Sequence, residues 1–331
     1  MKEISIIIPA YNVEHLLDRC LASLINQDIA VPYEILVVND GSKDNTWAVI
    51  QKWSEKYPDI VVGFTKINGG QSSARNLALD NASGRYIAFV DSDDYVESNF
   101  LSELYSLIIK NNCDISMCSM NRVYGDDGRG RRFNEGCAYS FVSDNICEVI
   151  CNSSFAPWNK LYSRKLWNAV RFPEGMTYED MAIIPQIIYK ANKVAYTSDI
   201  LYHYYVNPGS TIMSMQKKGD RNILRAMHIL ESSSLQSSPE VLENIYIRRV
   251  LFSFAKTALC FETDCYDLVN RLVEETHQKY RNIINNSLIQ NAPIVDKIYV
   301  TLLLKGHVKV SSYILKLEAI LKICVKRILG R

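Results

Sequence analysis
The nine cysteines of this chain include no Cys-x-x-Cys pair, their number is odd, and no spacing between them matches a zinc pattern. That excludes a zinc module and argues against a secreted disulfide scaffold. The thiols are expected to be reduced and mostly buried, in a cytosolic protein. No secretory leader is expected either, because Met1-Lys2-Glu3 runs directly into a strand pattern. No apolar run approaches the ~18–20 residues that a membrane helix needs. Charge of one sign is also missing: 37 basic residues face 36 acidic ones, a net charge of +1, so no global field draws the chain to nucleic acid. Three phosphate or nucleophile motifs are absent as well. There is no GxGxxG after the first strand, which argues against a dinucleotide dehydrogenase. There is no GxxxxGK[ST], which argues against a P-loop enzyme, and no GxSxG, which argues against an α/β hydrolase.

What is present is an ordinary globular composition, 48% apolar and 22% charged over 331 residues. That length suits one large domain or two modest ones. Tyrosine is abundant, at 20 residues. Its amphipathic ring suits contacts with sugars or bases.

The first hundred residues alternate between two periodicities. Ile4-Ser5-Ile6-Ile7-Ile8-Pro9 reads as a buried parallel strand, and Asn12 as the cap of a helix over Val13 to Gln27. Leu16, Leu17, Cys20, Leu21, Leu24 and Ile25 give that helix one buried stripe. Tyr33 to Asn39 reads as a second strand, followed by the turn Asp40-Gly41-Ser42 and a helix over Asn45 to Tyr57 capped by Asp44. A third strand covers Ile60 to Lys66, Asn68-Gly69-Gly70 turns into a helix over Ser72 to Asn81, and Tyr86 begins a fourth strand. The order β-α-β-α-β-α-β predicts a doubly wound, mostly parallel sheet.

Successive strand ends carry chemistry. The fourth strand, Ile87-Ala88-Phe89-Val90, runs into Asp91-Ser92-Asp93-Asp94. In open α/β sheets ligands bind at the carboxyl ends of the strands. Carboxylates spaced i and i+2 are hard oxygen ligands for Mg²⁺ or Mn²⁺, and such an ion sits naturally on a phosphate. Tyr11 and Asp40 stand at the ends of the first two strands. Together the three tips suit a nucleotide diphosphate: a ring to stack on a base, a carboxylate to accept a base N–H, and a metal for the phosphates. Gly69-Gly70 lets backbone N–H groups approach an anion, and Arg75 can add a cation. Each feature alone is better read as packing, a turn or a solvated acidic loop. Their occurrence at consecutive strand ends favours the functional reading.

Four blocks now resemble a known family. Ser5-Ile6-Ile7-Ile8-Pro9-Ala10-Tyr11-Asn12, Val37-Val38-Asn39-Asp40-Gly41-Ser42, Asn68-Gly69-Gly70-Gln71-Ser72-Ser73-Ala74-Arg75-Asn76 and Phe89-Val90-Asp91-Ser92-Asp93-Asp94 look like the signature blocks of family 2 glycosyltransferases, in the right order. These are inverting, nucleotide-sugar-dependent enzymes of the GT-A fold. The resemblance implies that Pro9 and Tyr11 hold a uracil ring and that Asp40 binds its N3. It implies Asn68, Gly69, Arg75 and Ser92 around the donor, Asp91 near the ribose or the ion, and Asp93 as the Mn²⁺ or Mg²⁺ ligand.

Further along, Asp114 to Met120 reads as another strand. Asp126 and Asp127 lie in a Gly-rich polar stretch that reads as a solvated turn. Pro157-Trp158-Asn159-Lys160-Leu161-Tyr162 resembles a block of the capsule and exopolysaccharide branch of the family near the acceptor, and reads equally as a helix start with a buried Trp. Thr177-Tyr178-Glu179-Asp180-Met181 resembles the family's catalytic carboxylate block. It implies Asp180 as the general base, with Glu179 beside it, taking the proton of the acceptor hydroxyl. Tyr202 to Thr211 resembles a late block in which Ser210 closes on the diphosphate. Asn207 stands where some relatives carry a His, Asp or Arg, and Lys217 and Lys218 follow.

From Gly219 onward the pattern is helical, which predicts a catalytic domain over 1–218 and a helical region over 219–331. Residues 297–331 hold eight basic side chains against the single acid Glu318, a local charge of +7. Leu315, Leu317, Ile320 and Leu321 lie in the same stretch. A basic amphipathic helix suits the anionic inner face of a plasma membrane, or a helix packed on its own domain with a basic face outward. The resulting expectation is a metal-dependent, inverting transfer from a UDP-sugar to a glycan or lipid-linked acceptor in cell-surface polysaccharide synthesis. The competing readings are a non-catalytic nucleotide-sugar-binding or assembly subunit, and a nucleotidyltransferase of related fold. The first needs a broken acidic cluster or a missing base. The second needs a Gly-rich loop after the first strand.

Overall fold
The computed structural model describes residues 2–124, 132–206, 220–262 and 264–328. Asp126, Asp127, Asn207, Ser210, Lys217 and Lys218, singled out above, lie outside the described residues. The chain divides into two compact units, Met1–Pro208 and Gly209–Arg331.

The first unit is built on a sheet of ten strands among the described residues. Its first half follows the expected alternation: β1 (Ile4–Ala10), α1 (Leu17–Ile25), β2 (Tyr33–Asn39), α2 (Thr46–Lys56), β3 (Val61–Thr65), α3 (Gln71–Asn81) and β4 (Tyr86–Phe89). Then come β5 (Tyr95–Val96), α4 (Phe100–Asn111), β6 (Ile115–Val123), β7 (Arg132–Glu135), β8 (Phe141–Ser143), α5 (Ile146–Asn152), β9 (Lys160–Ser163), α6 (Glu179–Tyr189) and β10 (Val194–Tyr205). The strand order is β3-β2-β1-β4-β9-β6-β10-β5, with β7 on β6 and β8 on β10.

Every residue of β1 is buried, as a strand covered on both faces must be. Its side chains alternate between layers. Ile4, Ile6, Ile8 and Ala10 share one core with Leu17, Leu21, Ile50, Leu101 and Leu104. Phe89 of β4 packs instead on Tyr162, Trp167 and Phe172, with ring centroids 5.0–6.0 Å apart. β1, β2, β3 and β4 are mutually parallel, so their carboxyl ends share one edge. β9 is inserted antiparallel between β4 and β6, a reversal that local periodicity did not announce.

The first helix begins at Leu17, four residues later than Val13. Asn12 does not cap it. That residue takes φ +52°. Its backbone N–H donates to Ser42 Oγ and its side-chain oxygen accepts from Lys43 N, at 3.0 and 2.9 Å. Asn12 therefore ties the loop after β1 to the loop after β2. Asp44 does serve the second helix start, accepting Thr46 N–H at 3.0 Å.

The regular elements described in the second unit are all helices. The segment Ile247–Ala255 is a π-helix between Pro239–Tyr246 and Lys256–Phe261. Tyr299, fully buried, donates its hydroxyl to Leu251 O at 2.6 Å. The last helix, Val308–Ile328, buries Val308, Ser311, Ser312 and Leu315 and exposes Val310, Tyr313, Leu317, Ile320 and Leu321. No described helix is long and apolar enough to cross a membrane.

Candidate active site
The site grows from the shared carboxyl edge of β1, β2 and β4. Pro9 is buried in β1, and Tyr11, just past its end, is 45% exposed, leaving a ring face open to a ligand. Asp40 follows β2 and is 2% exposed. Its Oδ1 accepts from Lys66 Nζ and Gly69 N at 2.8 and 3.0 Å. Its Oδ2 accepts from Asn68 Nδ2 and Gly70 N at 3.1 and 2.7 Å. Two oxygens with four donors have no ordinary lone pair left for a base N–H. The backbone N–H groups expected to approach a ligand anion thus approach Asp40 itself. Gly41 is what allows this: at φ +70°, a Cβ there would stand 2.7 Å from Asn68 N.

The same loop opens α3, and α3 reaches the acidic strand end. Gln71 Nε2 lies 3.2 Å from Asp91 Oδ1. Arg75, 2% exposed, places Nη2 2.8 Å from Asp91 Oδ1 and Nη1 2.9 Å from Glu179 Oε1. Its guanidinium lies over the Phe172 ring, 5.3 Å from the centroid. Burial works against the charge, but Asp91 and Glu179 outweigh it and hold the group firmly protonated. Arg75 is at the site as expected, and its fork grips two carboxylates of the protein.

The three aspartates of the strand end have separate duties. Asp94 is fully buried. Its Oδ2 accepts the Tyr202 hydroxyl at 2.6 Å and its Oδ1 accepts Tyr205 N–H at 2.7 Å. Burial, then the charges of Asp93 and Asp91, push its carboxyl well up. It braces β10 against the loop after β4. The Tyr202 hydroxyl also accepts Asp91 N–H at 3.2 Å. Ser92 is buried between them. Asp93 is half-buried, and among the described residues its carboxylate is met by its own backbone N–H. Burial and the charge of Asp91 raise it from its ordinary 3.8 to about 6.

That arrangement fits a divalent ion. Two neighbouring carboxylates, one of them pushed upward by burial and by its neighbour's charge, are relieved by a cation between them. A Mg²⁺-type site typically takes only one or two protein carboxylates and completes its shell with phosphate and water. No cluster of three or more His, Cys, Asp or Glu ligands occurs among the described residues.

Asp180 stands half-buried in the first turn of α6, next to Glu179. The preceding residue, Tyr178, takes φ +60° and turns the chain sharply into the helix. Asp180 Oδ1 accepts Met181 N–H at 2.6 Å. Arg75 thus joins the β4 tip to the helix that carries the proposed base.

Arg19 and Lys66 were not singled out from the sequence. Arg19 donates to Asp93 O at 2.7 Å and lies between the Tyr95 and Tyr205 rings, 4.7 Å from each centroid. Trp158 is buried as expected, but it leads into strand β9 and not into a helix, and it stacks on Tyr202 and Tyr204, at 4.6 and 5.6 Å. His203 is buried, with its ring nitrogens 2.6 and 2.7 Å from Asn121 and Glu97 oxygens, so it is a packed histidine. Lys66 had one readable signal, its place at the end of β3 beside the glycine turn. Arg19 had none, and the partner of Tyr202 could not be read, since their contacts lie 74 and 108 residues away.

A parallel sheet with carboxylates at the tip of β4 and the start of α6 is the frame of the GT-A fold. It superimposes on the crystal structure of residues 1–349 of Staphylococcus aureus TarS in complex with UDP-GlcNAc with a TM-score of 0.74 at 21% identity, covering 95% of this chain and 90% of that one. The chain belongs to glycosyl transferase family 2, whose profile matches residues 5–190. Among curated relatives, the glycosyltransferase GlyA of Streptococcus pneumoniae is 34% identical over 68% of this chain. A poly(ribitol-phosphate) beta-glucosyltransferase of Bacillus spizizenii is 32% identical over 77% of it. The matches span only 34% and 41% of those two relatives' own lengths.

Proposed function
We propose that this chain is an inverting glycosyltransferase that moves a sugar from a UDP-sugar to a hydroxyl of a glycan or lipid-linked acceptor in cell-surface polysaccharide synthesis. The observation that carries the reading is the junction made by Arg75, which joins Asp91 at the β4 tip to Glu179 at the start of α6, beside Asp180. Family membership, the likeness to a protein crystallised with UDP-GlcNAc, and relatives named for poly(ribitol-phosphate) glycosylation support the same donor and acceptor classes.

Asp180 takes the proton of the acceptor hydroxyl as its oxygen bonds to the anomeric carbon. The bond from that carbon to the diphosphate breaks on the opposite face, and its electron pair leaves with UDP. Tyr11 stacks on the base and Pro9 backs it. Asp40 shapes the pocket through the Asn68–Gly70 loop. Asp93 and Asp91 would hold a Mn²⁺ or Mg²⁺ ion, which supplies Lewis-acid stabilisation of the leaving diphosphate. Donor turnover measured with and without EDTA, in the wild type and in Asp93→Ala and Asp180→Asn, tests the assignment. Asp93→Ala is expected to lose donor binding. Asp180→Asn is expected to bind donor and lose transfer, and near-normal turnover in it would sink the base assignment.

The C-terminal helix supports a peripheral contact with an anionic membrane. Its outer face carries Val310, Tyr313, Leu317, Ile320 and Leu321 interleaved with exposed Lys309 and Lys316. Co-sedimentation with vesicles rich in anionic lipid, and not with neutral vesicles, is the expected result.

A further inference from the structure
Arg19 is a cation beside the acidic strand end that takes no part in the transfer step itself. It stands in the first turn of α1, whose buried face carries Leu17, Cys20, Leu21 and Leu24. Its side chain meets three other pieces of the chain. Nη2 donates to the main-chain oxygen of Asp93, in the loop after β4, at 2.7 Å. The guanidinium lies over the ring of Tyr95, on β5, and over that of Tyr205, the last residue of β10, 4.7 Å from each centroid. Nε is buried and has no partner among the described residues. A buried donor without an acceptor is costly, and a guanidinium on a long stem ordinarily keeps its head in water. Here two aromatic faces hold it instead, as suits a flat cation.

The rings and the loop are themselves fixed. Tyr95 stacks on the buried ring of His203, with centroids 4.5 Å apart and planes 18° from parallel. Tyr205 donates its backbone N–H to Asp94 Oδ1 at 2.7 Å. Asp91 N–H donates to the Tyr202 hydroxyl and Asp94 N–H to Asp91 O, at 3.2 and 3.1 Å. The neighbour of Arg19 on the helix, Cys20, places its Sγ 3.6 Å from Asp91 O. Helix α1 thus meets the main chain of both proposed ion ligands, at Asp91 through Cys20 and at Asp93 through Arg19. Both contacts go to main-chain oxygens, so they set where the two residues stand without occupying their carboxylates.

We propose that Arg19 is a positioning residue for the ion site: stacked on Tyr95 and Tyr205, it grips the Asp93 carbonyl and fixes the loop 91–94 in the geometry that receives a divalent ion. This rests on Asp91 and Asp93 being the ion's ligands, so the test reads the metal-free loop as well as the ion. A cation beside a divalent ion opposes its binding, so a role of the charge alone and a role of the grip predict opposite signs.

The experiment compares the wild type, Arg19→Met and Arg19→Lys as full chains, with Mn²⁺ alone as the probe and electron paramagnetic resonance as the readout. Arg19→Met removes the donor and the charge and keeps an unbranched side chain against the rings. It is expected to bind Mn²⁺ roughly tenfold more weakly, the size of one lost hydrogen bond from a charged donor. Arg19→Lys keeps a point charge that reaches the carbonyl but has no flat face for the rings, and is expected to recover part of the loss. With EDTA present, amide hydrogen exchange over the peptide that holds Asp91 and Asp94 is expected to be faster in Arg19→Met. UDP affinity with EDTA present is expected to stay at the wild-type value, because Pro9, Tyr11 and the loop around Asp40 are untouched. Mn²⁺ binding that is unchanged or tighter in a folded Arg19→Met overturns the proposal. So does a loss of UDP affinity equal to the loss of Mn²⁺ affinity, which would mean general damage to the nucleotide edge. If Arg19→Met does not fold, Arg19→Lys carries the same comparison. A wild type that binds no Mn²⁺ strikes the ion assignment, and the exchange rates then decide: equal rates in wild type and variant overturn the hold of Arg19 on the loop, and faster exchange in the variant upholds it.

Discussion
Arg75 Nη1 lies 2.9 Å from Glu179 Oε1, across 104 residues of sequence, and the same guanidinium holds Asp91 at 2.8 Å. One buried side chain thereby sets the spacing between the donor edge of the sheet and the helix that carries Asp180.

Replacing Arg75 by Met leaves two buried or half-buried carboxylates without their cation. Breaking a buried pair by removing one partner costs ~3–5 kcal/mol. Misplacing a reacting group by about 1 Å costs on the order of 10²-fold in rate. Arg75→Met is therefore expected to lower both the urea midpoint and kcat. Arg75→Lys keeps the charge without the two-pronged geometry and is expected to fall between it and the wild type. Equal kcat in all three proteins would show that the junction is not needed for catalysis.

Tyr202→Phe tests the brace behind the acidic strand end. The ring stays, so the stack on Trp158 stays. The hydroxyl that donates to Asp94 and accepts from Asp91 N–H is lost. A buried group left without its partner costs ~1–3 kcal/mol. The expected outcome is a loss of stability of that size in chemical denaturation, together with weaker donor binding as the loop carrying Asp91 and Asp93 loosens. Unchanged stability would mean that Asp94 finds another donor.

The buried amine of Lys160 gives a pH signature. Its value falls from an ordinary 10.5 to about 7 in the fold. Between those limits the unfolded chain binds more protons than the native one. Unfolding free energy then rises with pH, by linkage. The wild type is expected to gain stability relative to Lys160→Met from pH 7 towards pH 10, with the difference flat below pH 7. Denaturation curves at pH 6, 7 and 9 check it. A constant difference across the three would show that the amine is not shifted.

Much of the fold was legible from local pattern. β1, β2 and β4 are continuous apolar runs because both faces of the parallel sheet are covered, and such runs are readable without any neighbour. The acidic end of β4 was readable for the same reason: the run stops where the chain leaves the sheet. The pairing of side chains was not legible. Asp40 looked like a free acceptor at a strand tip, and only the return of the Asn68–Gly70 loop over Gly41 fills its lone pairs. Asn12 looked like a helix cap, and only the neighbouring strand order brings Ser42 and Lys43 to it.

The sequence by itself determined the parallel α/β frame, the edge where the chemistry gathers, and the residue types at that edge. Short-range periodicity and turn chemistry act within a few residues, so they can be read along the chain. Which aspartate braces the sheet, which one burial and its neighbour push upward, and which cation holds the third was decided only by tertiary structure. Those answers depend on β9 entering the sheet backwards and on contacts made across 16 to 108 residues, where burial and charge, and no local rule, choose the partner.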